Sequence, residues 1–216
     1  FLEQLPIAEK LAKENPTQAF QRLLGSAKLG LADVYFWSSK LELALKTYDE
    51  ACAPLYALTD RKFEVQDAIA VCRTRRADAL AWLERYPEAL TEIGRAYEIY
   101  RPFYKAEPSN LTLVHAMSVV LTKKGEILGW QGKVDASFAA YSELVQVASL
   151  AHKADPSDLR VARDVALSLN KRGDAYVEAK RYREAIADYR QARGIIAQQW
   201  KDDPKQREYE RDFALS

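Results

Sequence analysis

Apolar residues recur along this chain at the spacing of one helical face, and the faces themselves recur at a longer period. Four segments align on a small residue followed by an acid: Ala32-Asp33, Ala77-Asp78, Gly125-Glu126 and Gly173-Asp174, at intervals of 45, 48 and 48 residues. Three residues beyond the small one stands Tyr35, Leu80, Leu128 or Tyr176. Twelve and thirteen beyond it come Ala44-Leu45, Ala89-Leu90, Ser137-Phe138 and Ala185-Ile186. Sixteen beyond it are Tyr48, Ile93, Tyr141 and Tyr189, and nineteen beyond it Ala51, Ala96, Leu144 and Ala192. Steps of one, three and three are those of an apolar stripe on a helix. The small residue lets a second helix come close, and the large residue three later fills the space beside it.

Turn and cap residues divide the segments into helices. Short polar turns such as Ser38-Ser39-Lys40 and Gln131-Gly132-Lys133 separate two helices within a unit, and Pro87 suits the start of a second helix. Longer breaks fall at Asn15-Pro16-Thr17, Glu107-Pro108-Ser109, Asp155-Pro156-Ser157 and Asp203-Pro204. Each proline bars the residue before it from continuing a helix, and Thr17, Ser109 or Ser157 can cap the next one. First helices are expected near Thr17–Ser38, Lys62–Glu84, Asn110–Gln131 and Asp158–Lys180. Second helices are expected near Leu41–Leu58, Pro87–Ala106, Val134–Ala154 and Tyr182–Lys201. Leu2–Glu14 reads as the tail of an earlier second helix, and Glu208–Ser216 as the start of a fifth first helix. A helix pair cannot bury its face alone, so such units stack. The expected fold is all-α: an α-α superhelix, or solenoid, of about four antiparallel helix pairs with partial flanking repeats. It forms a single domain over 1–216, with repeats at about 17–60, 62–106, 110–154 and 158–202 and partial repeats at 1–14 and 206–216.

Composition narrows the class of work. Of 216 residues, 48% are hydrophobic and 29% charged, which suits a packed globular chain. Lys and Arg number 32 against 31 Asp and Glu, a net charge of +1, so a nucleic-acid partner is not expected. No apolar run approaches the roughly 18 residues of a membrane helix. Cys52 and Cys72 are too few for a disulfide framework or a structural zinc site, and both read as small buried apolar residues. The compartment stays open: the cytoplasm is the first expectation, an extracytoplasmic part of a longer protein the alternative. Phe1 in first place suggests a piece of something longer.

The aligned columns resemble the tetratricopeptide repeat family. Small–x–x–large, then Ala, an aromatic and Ala is that family's pattern, and Arg181-Tyr182-Arg183-Glu184-Ala185-Ile186 is especially similar to it. The resemblance covers nearly the whole chain. These repeats are longer than the usual unit of about 34 residues, and the closing proline falls later, at Pro108, Pro156 and Pro204. The resemblance implies that first helices line a concave surface where extended or helical peptide segments dock. Helical steps then give the inward lines: Arg22, Ser26, Leu29, Asp33; Asp67, Val71, Thr74, Asp78; His115, Val119, Thr122, Glu126; and Arg163, Leu167, Asn170, Asp174. One step further come Trp37, Trp82, Trp130 and Glu178.

Two readings of the tryptophans stand. In the first, weighted slightly higher, the rings fill the wider helix spacing of an enlarged repeat. In the second they form a ladder flanked by Asp33, Asp78, Glu126 and Asp174, with Ala81 and Gly129 leaving room over a ring. Such a ladder suits a peptide with apolar anchors and some Lys or Arg. The acids are also spaced for intrahelical pairs, Arg75–Asp78, Lys123–Glu126 and Lys171–Asp174, and only Asp33 lacks one. Some family members clamp a partner's terminal carboxylate with Lys and Asn. Here the matching positions carry an acid in every repeat and Asn170 is the one obvious asparagine, so that mode is not expected.

Catalytic constellations are nearly absent. His115 and His152 have no second ligand at metal spacing, and Gly25 to Gly30 is followed by Leu31-Ala32 where a phosphate loop needs Lys-Ser/Thr. Arg172-Gly173-Asp174 sits within a helix on the repeat columns, not in the exposed loop that an adhesion tripeptide requires. The expectation is a non-enzymatic scaffold, favoured as a monomer, without cofactor or metal. Its groove would take a protein or peptide at Trp37, Trp82, Trp130, Asp33, Asp78, Glu126, Asp174, Asn170, His115 and Arg163. The alternatives are a regulatory or sensory segment of a larger multidomain enzyme or receptor, and a purely architectural solenoid that stacks end to end.

Overall fold

The structure, a computed structural model, describes residues 4–15, 17–56 and 61–202. The described residues form nine helices and no strand: α1 (Gln4–Glu14), α2 (Gln18–Trp37), α3 (Leu41–Tyr56), α4 (Phe63–Trp82), α5 (Tyr86–Ala106), α6 (Leu111–Trp130), α7 (Val134–Ala154), α8 (Leu159–Glu178) and α9 (Tyr182–Asp202). The fold class is that of an all-α helical solenoid, with neighbouring helices packed in pairs. The four expected first helices are α2, α4, α6 and α8, each of 20 residues. The expected segment at 206–216 lies outside the described residues, as do Leu58 and the Asp203-Pro204 break.

Every first helix turns into its second helix in the same way. Three residues join them, and one has positive φ: Ser39 at 58°, Glu84 at 59°, Gly132 at 75° and Lys180 at 59°. All four lie seven residues past the small residue of their repeat. Around Ser39, its N–H donates to Phe36 O at 3.0 Å and that of Lys40 to Tyr35 O at 2.9 Å. The same two bonds recur from Gly132 to Gly129 O and Lys133 to Leu128 O, both at 2.8 Å. This double bond satisfies the last carbonyls of the helix and reverses the chain.

The chain divides into two compact units, Phe1–Tyr100 and Arg101–Ser216. In the first, α1 packs on α2, α2 on α3 and α3 on α4. Ala32 is fully buried against the inside of its pair, and Tyr48 is buried with it. The Tyr48 hydroxyl donates to Asp33 Oδ1 at 2.5 Å. Ala51, Cys52, Leu55, Val65, Ile69 and Cys72 form the core between α3 and α4. Contrary to the sequence expectation, Cys52 and Cys72 form a disulfide, their Cα atoms 5.7 Å apart. They are apolar core residues too, but the packing of α3 on α4 sets one opposite the other. Glu92 is buried and held by Arg73, Arg76 and Arg95 at 2.9, 3.0 and 3.1 Å.

In the second unit α6 packs on α7, α7 on α8 and α8 on α9. Ala148, Val165, Ala166, Leu169, Ala192 and Ile196 form a buried cluster. The small residues here are glycines because nothing larger fits. A Cβ on Gly125 would stand 2.6 Å from the Tyr141 ring, and one on Gly173 2.6 Å from Tyr189. Arg172 grips the buried Asp188 through two bonds of 2.7 and 2.8 Å, and Asp188 occupies the place of Glu92 two repeats earlier. Two helix starts are capped one residue later than expected. Asn110 accepts from Thr112 N–H, and Asp158 from the N–H groups of Arg160 and Val161. Ser157 instead donates, through N–H and hydroxyl, to Asp155 Oδ1.

A side chain with a Cβ costs free energy in a left-handed turn, whereas glycine adopts it freely. Lys180→Gly is therefore expected to raise the unfolding free energy by about 0.5–1 kcal/mol, and Gly132→Ala to lower it by a similar amount. Denaturant midpoints measure both, and either change in the opposite direction contradicts the turn assignment.

Candidate functional site

The tryptophans are on the surface. Trp37, Trp82 and Trp130 are 77%, 63% and 52% exposed, so they do not fill the space between helices. In the first unit Phe36 lies edge-on to both neighbours, its ring centroid 5.3 Å from Trp37 and 6.4 Å from Trp82. Ala81, expected to leave room over a ring, is buried. Thr74 likewise leaves the inward line, since it is buried with its hydroxyl donating to Ala70 O.

The acids of the repeat columns have particular partners. Asp33 takes the Tyr48 hydroxyl and faces Arg75 of α4 at 3.6 Å. Asp174 takes the Tyr189 hydroxyl at 2.8 Å. Glu126 meets Lys123 of its own helix at 3.6 Å and Lys171 of α8 at 3.0 Å. Arg75 and Lys171 thus reach back to the preceding first helix, where the sequence suggested pairs within one helix. Burial and the Asp174 bond push the Tyr189 hydroxyl up to about 12. Burial foremost, then Asp33, raises Tyr48 well above the usual tyrosine range.

The second unit brings part of the expected set together. A cavity of about 670 Å³ opens between α6 and α8. Its walls carry His115, Val119 and Thr122 from one inward line and Leu167, Asn170 and Asp174 from the next. Glu126 stands at its edge through Lys171, which lines it; Arg163 and Trp130 do not line it. Asp33, Trp37, Asp78 and Trp82 belong to the first unit. The sequence reading missed Ser118 and Asp164, which also line the cavity. A line stepped at helical spacing is one residue wide, whereas the cavity takes in the neighbouring stripe as well. A second cavity of about 370 Å³ lies beside His152 and Gln191, away from every inward line.

Polar groups in the larger cavity are incompletely matched. Ser118 Oγ and Asn170 Oδ1 are buried and accept or donate no hydrogen bond among the described residues. Burial raises the Asp164 carboxyl above the usual carboxylate range, although His115 and Arg163 pull it down. The folded state therefore binds this proton more tightly than the unfolded chain. Asp164 adds stability at low pH that is lost as pH rises through its folded pKa. Asp164→Asn is expected to raise the urea midpoint at about pH 7, with the gain shrinking by about pH 4. A gain that does not depend on pH, or a loss at neutral pH, contradicts the assignment.

No helix among the described residues is long and apolar enough to cross a membrane. No protein-family model matches the chain, and no curated protein matches its sequence. Among solved structures it is similar to the crystal structure of BtubC (BKLC) from P. vanneervenii, with a TM-score of 0.51 and 15% identity. That likeness covers 91% of this chain and 88% of the other, and at such identity it bears on the fold alone.

Proposed function

We propose that this chain is a non-enzymatic scaffold of the tetratricopeptide type, with enlarged repeats, that binds a peptide segment of a partner protein along the inward face of its first helices. One observation carries the reading. Six residues picked out by helical stepping along two first helices line a single cavity of about 670 Å³, within the size range of ligand sites. A groove built on packed helices is formed before its ligand arrives, so little conformational freedom is lost on its side. The exposed ring of Trp130 offers further flat apolar area on α6, and those of Trp37 and Trp82 do so on α2 and α4 of the first unit.

The test is to pan a random peptide library, displayed on phage, against the full chain and against Leu167→Trp. Leu167 is 44% exposed on the cavity wall, so a larger ring fills the cavity at a stability change within about 0.5 kcal/mol. The wild-type chain should enrich a family of peptides that the variant retains at least about ten-fold less well. Absence of any enriched family, or equal retention by Leu167→Trp, contradicts the reading.

A further inference from the structure

In the first unit α3 is joined to α4 by a covalent bond as well as by packing. Cys52 and Cys72 are the chain's two cysteines, and their disulfide crosses from the second helix of one repeat to the first helix of the next. Both are fully buried, in the cluster with Ala51, Leu55, Val65 and Ile69. α2 packs on α3 and α3 on α4, so α3 sets where α2 stands against α4. Two contacts depend on that placement. Phe36 of α2 meets the Trp82 ring of α4, and Asp33 of α2 faces Arg75 of α4.

We propose that the Cys52–Cys72 bond is a redox clasp. Closed, it holds α2 and α4 in the arrangement that presents Phe36, Trp37 and Trp82 together; open, it lets the helices before α4 undock. In a solenoid each repeat touches only its neighbours, so the α3–α4 contact is what joins α1, α2 and α3 to α4. A crosslink at that contact restricts the undocked ensemble and so favours the docked one, the more so for cysteines 20 residues apart in sequence. Because both cysteines are fully buried, a reductant reaches the bond only when the contact opens. The reaction is thiol–disulfide exchange with a dithiol. Its thiolate attacks one sulfur and releases the other cysteine as a thiolate. Its second thiol then displaces the first cysteine, and the reductant departs as a cyclic disulfide. Two electrons and two protons end on Cys52 and Cys72, and an oxidised dithiol reverses the sequence.

Hydrogen exchange followed by mass spectrometry tests the clasp on the full chain. The chain is refolded in a mixture of oxidised and reduced glutathione, and part of it is then held in dithiothreitol until alkylation counts two free thiols. Before that reduction no thiol should be alkylated. After it, amide protection in α2 and α3 should fall about a hundred-fold while that of α7, α8 and α9 stays as it was. Cys52→Ala without reductant should show the same regional loss, which separates loss of the bond from an effect of the reagent. Two free thiols in the refolded chain overturn the clasp, and so does protection that reduction leaves unchanged. A loss shared equally by α7, α8 and α9 overturns it too, because the bond would then support the whole chain and not one docking contact.

Discussion

Each helix pair depends on how near its two helices come at one small residue. At Gly125 and Gly173 the approach is so close that a single added carbon would enter a tyrosine ring. Ala32 and Ala77 occupy the same place in their repeats and are fully buried, as Tyr48 and Ile93 are in theirs. This contact sets the spacing of the pair, and the residues around it follow. The acid next in sequence is carried to the rim of the contact, where Asp33 and Asp174 receive the tyrosine hydroxyls. The turn seven residues on must then reverse the chain within three residues, which a left-handed residue achieves in every repeat. Enlarging the anchor would separate the helices and loosen all three features together.

The same geometry sorts the faces of a first helix. One stripe is turned to its partner and buried, as Val165, Ala166 and Leu169 are in α8. The opposite stripe carries Leu167, Asn170 and Asp174 and remains accessible. Packing thus leaves Val119 of α6 and Leu167 of α8 exposed. Bases such as Arg75 and Lys171 tie neighbouring first helices across that stripe. They also use up part of its charge, at Asp33 and Glu126.

Most helix boundaries were legible because burial at a 3.6-residue period leaves a pattern in residue type. The stepped lines match the structure only in part: His115, Asn170 and Asp174 line one cavity, whereas Thr74 is buried and Arg163 lies outside it. Other features leave no such trace. Ser39, Glu84 and Lys180 share a backbone conformation with Gly132 but nothing in their side chains, since the turn is imposed by the helices it joins. The Cys52–Cys72 bond depends on which faces of α3 and α4 meet, and one chain's spacing does not state that. Charged residues at a three-residue interval were read as pairs within a helix. Long side chains reach the next helix as readily, and Lys171 does so at 3.0 Å. Asp164 was hidden beside Arg163 on the line, as only three dimensions show that the cavity is two stripes wide.

A peptide groove requires that the inward face of the first helices be open surface and not core. Tryptophan emission with acrylamide quenching tests it most directly, on a Trp200→Phe background so that Trp37, Trp82 and Trp130 report alone. Red-shifted emission that acrylamide quenches readily is expected. Blue-shifted, protected emission would make these rings packing residues and contradict it.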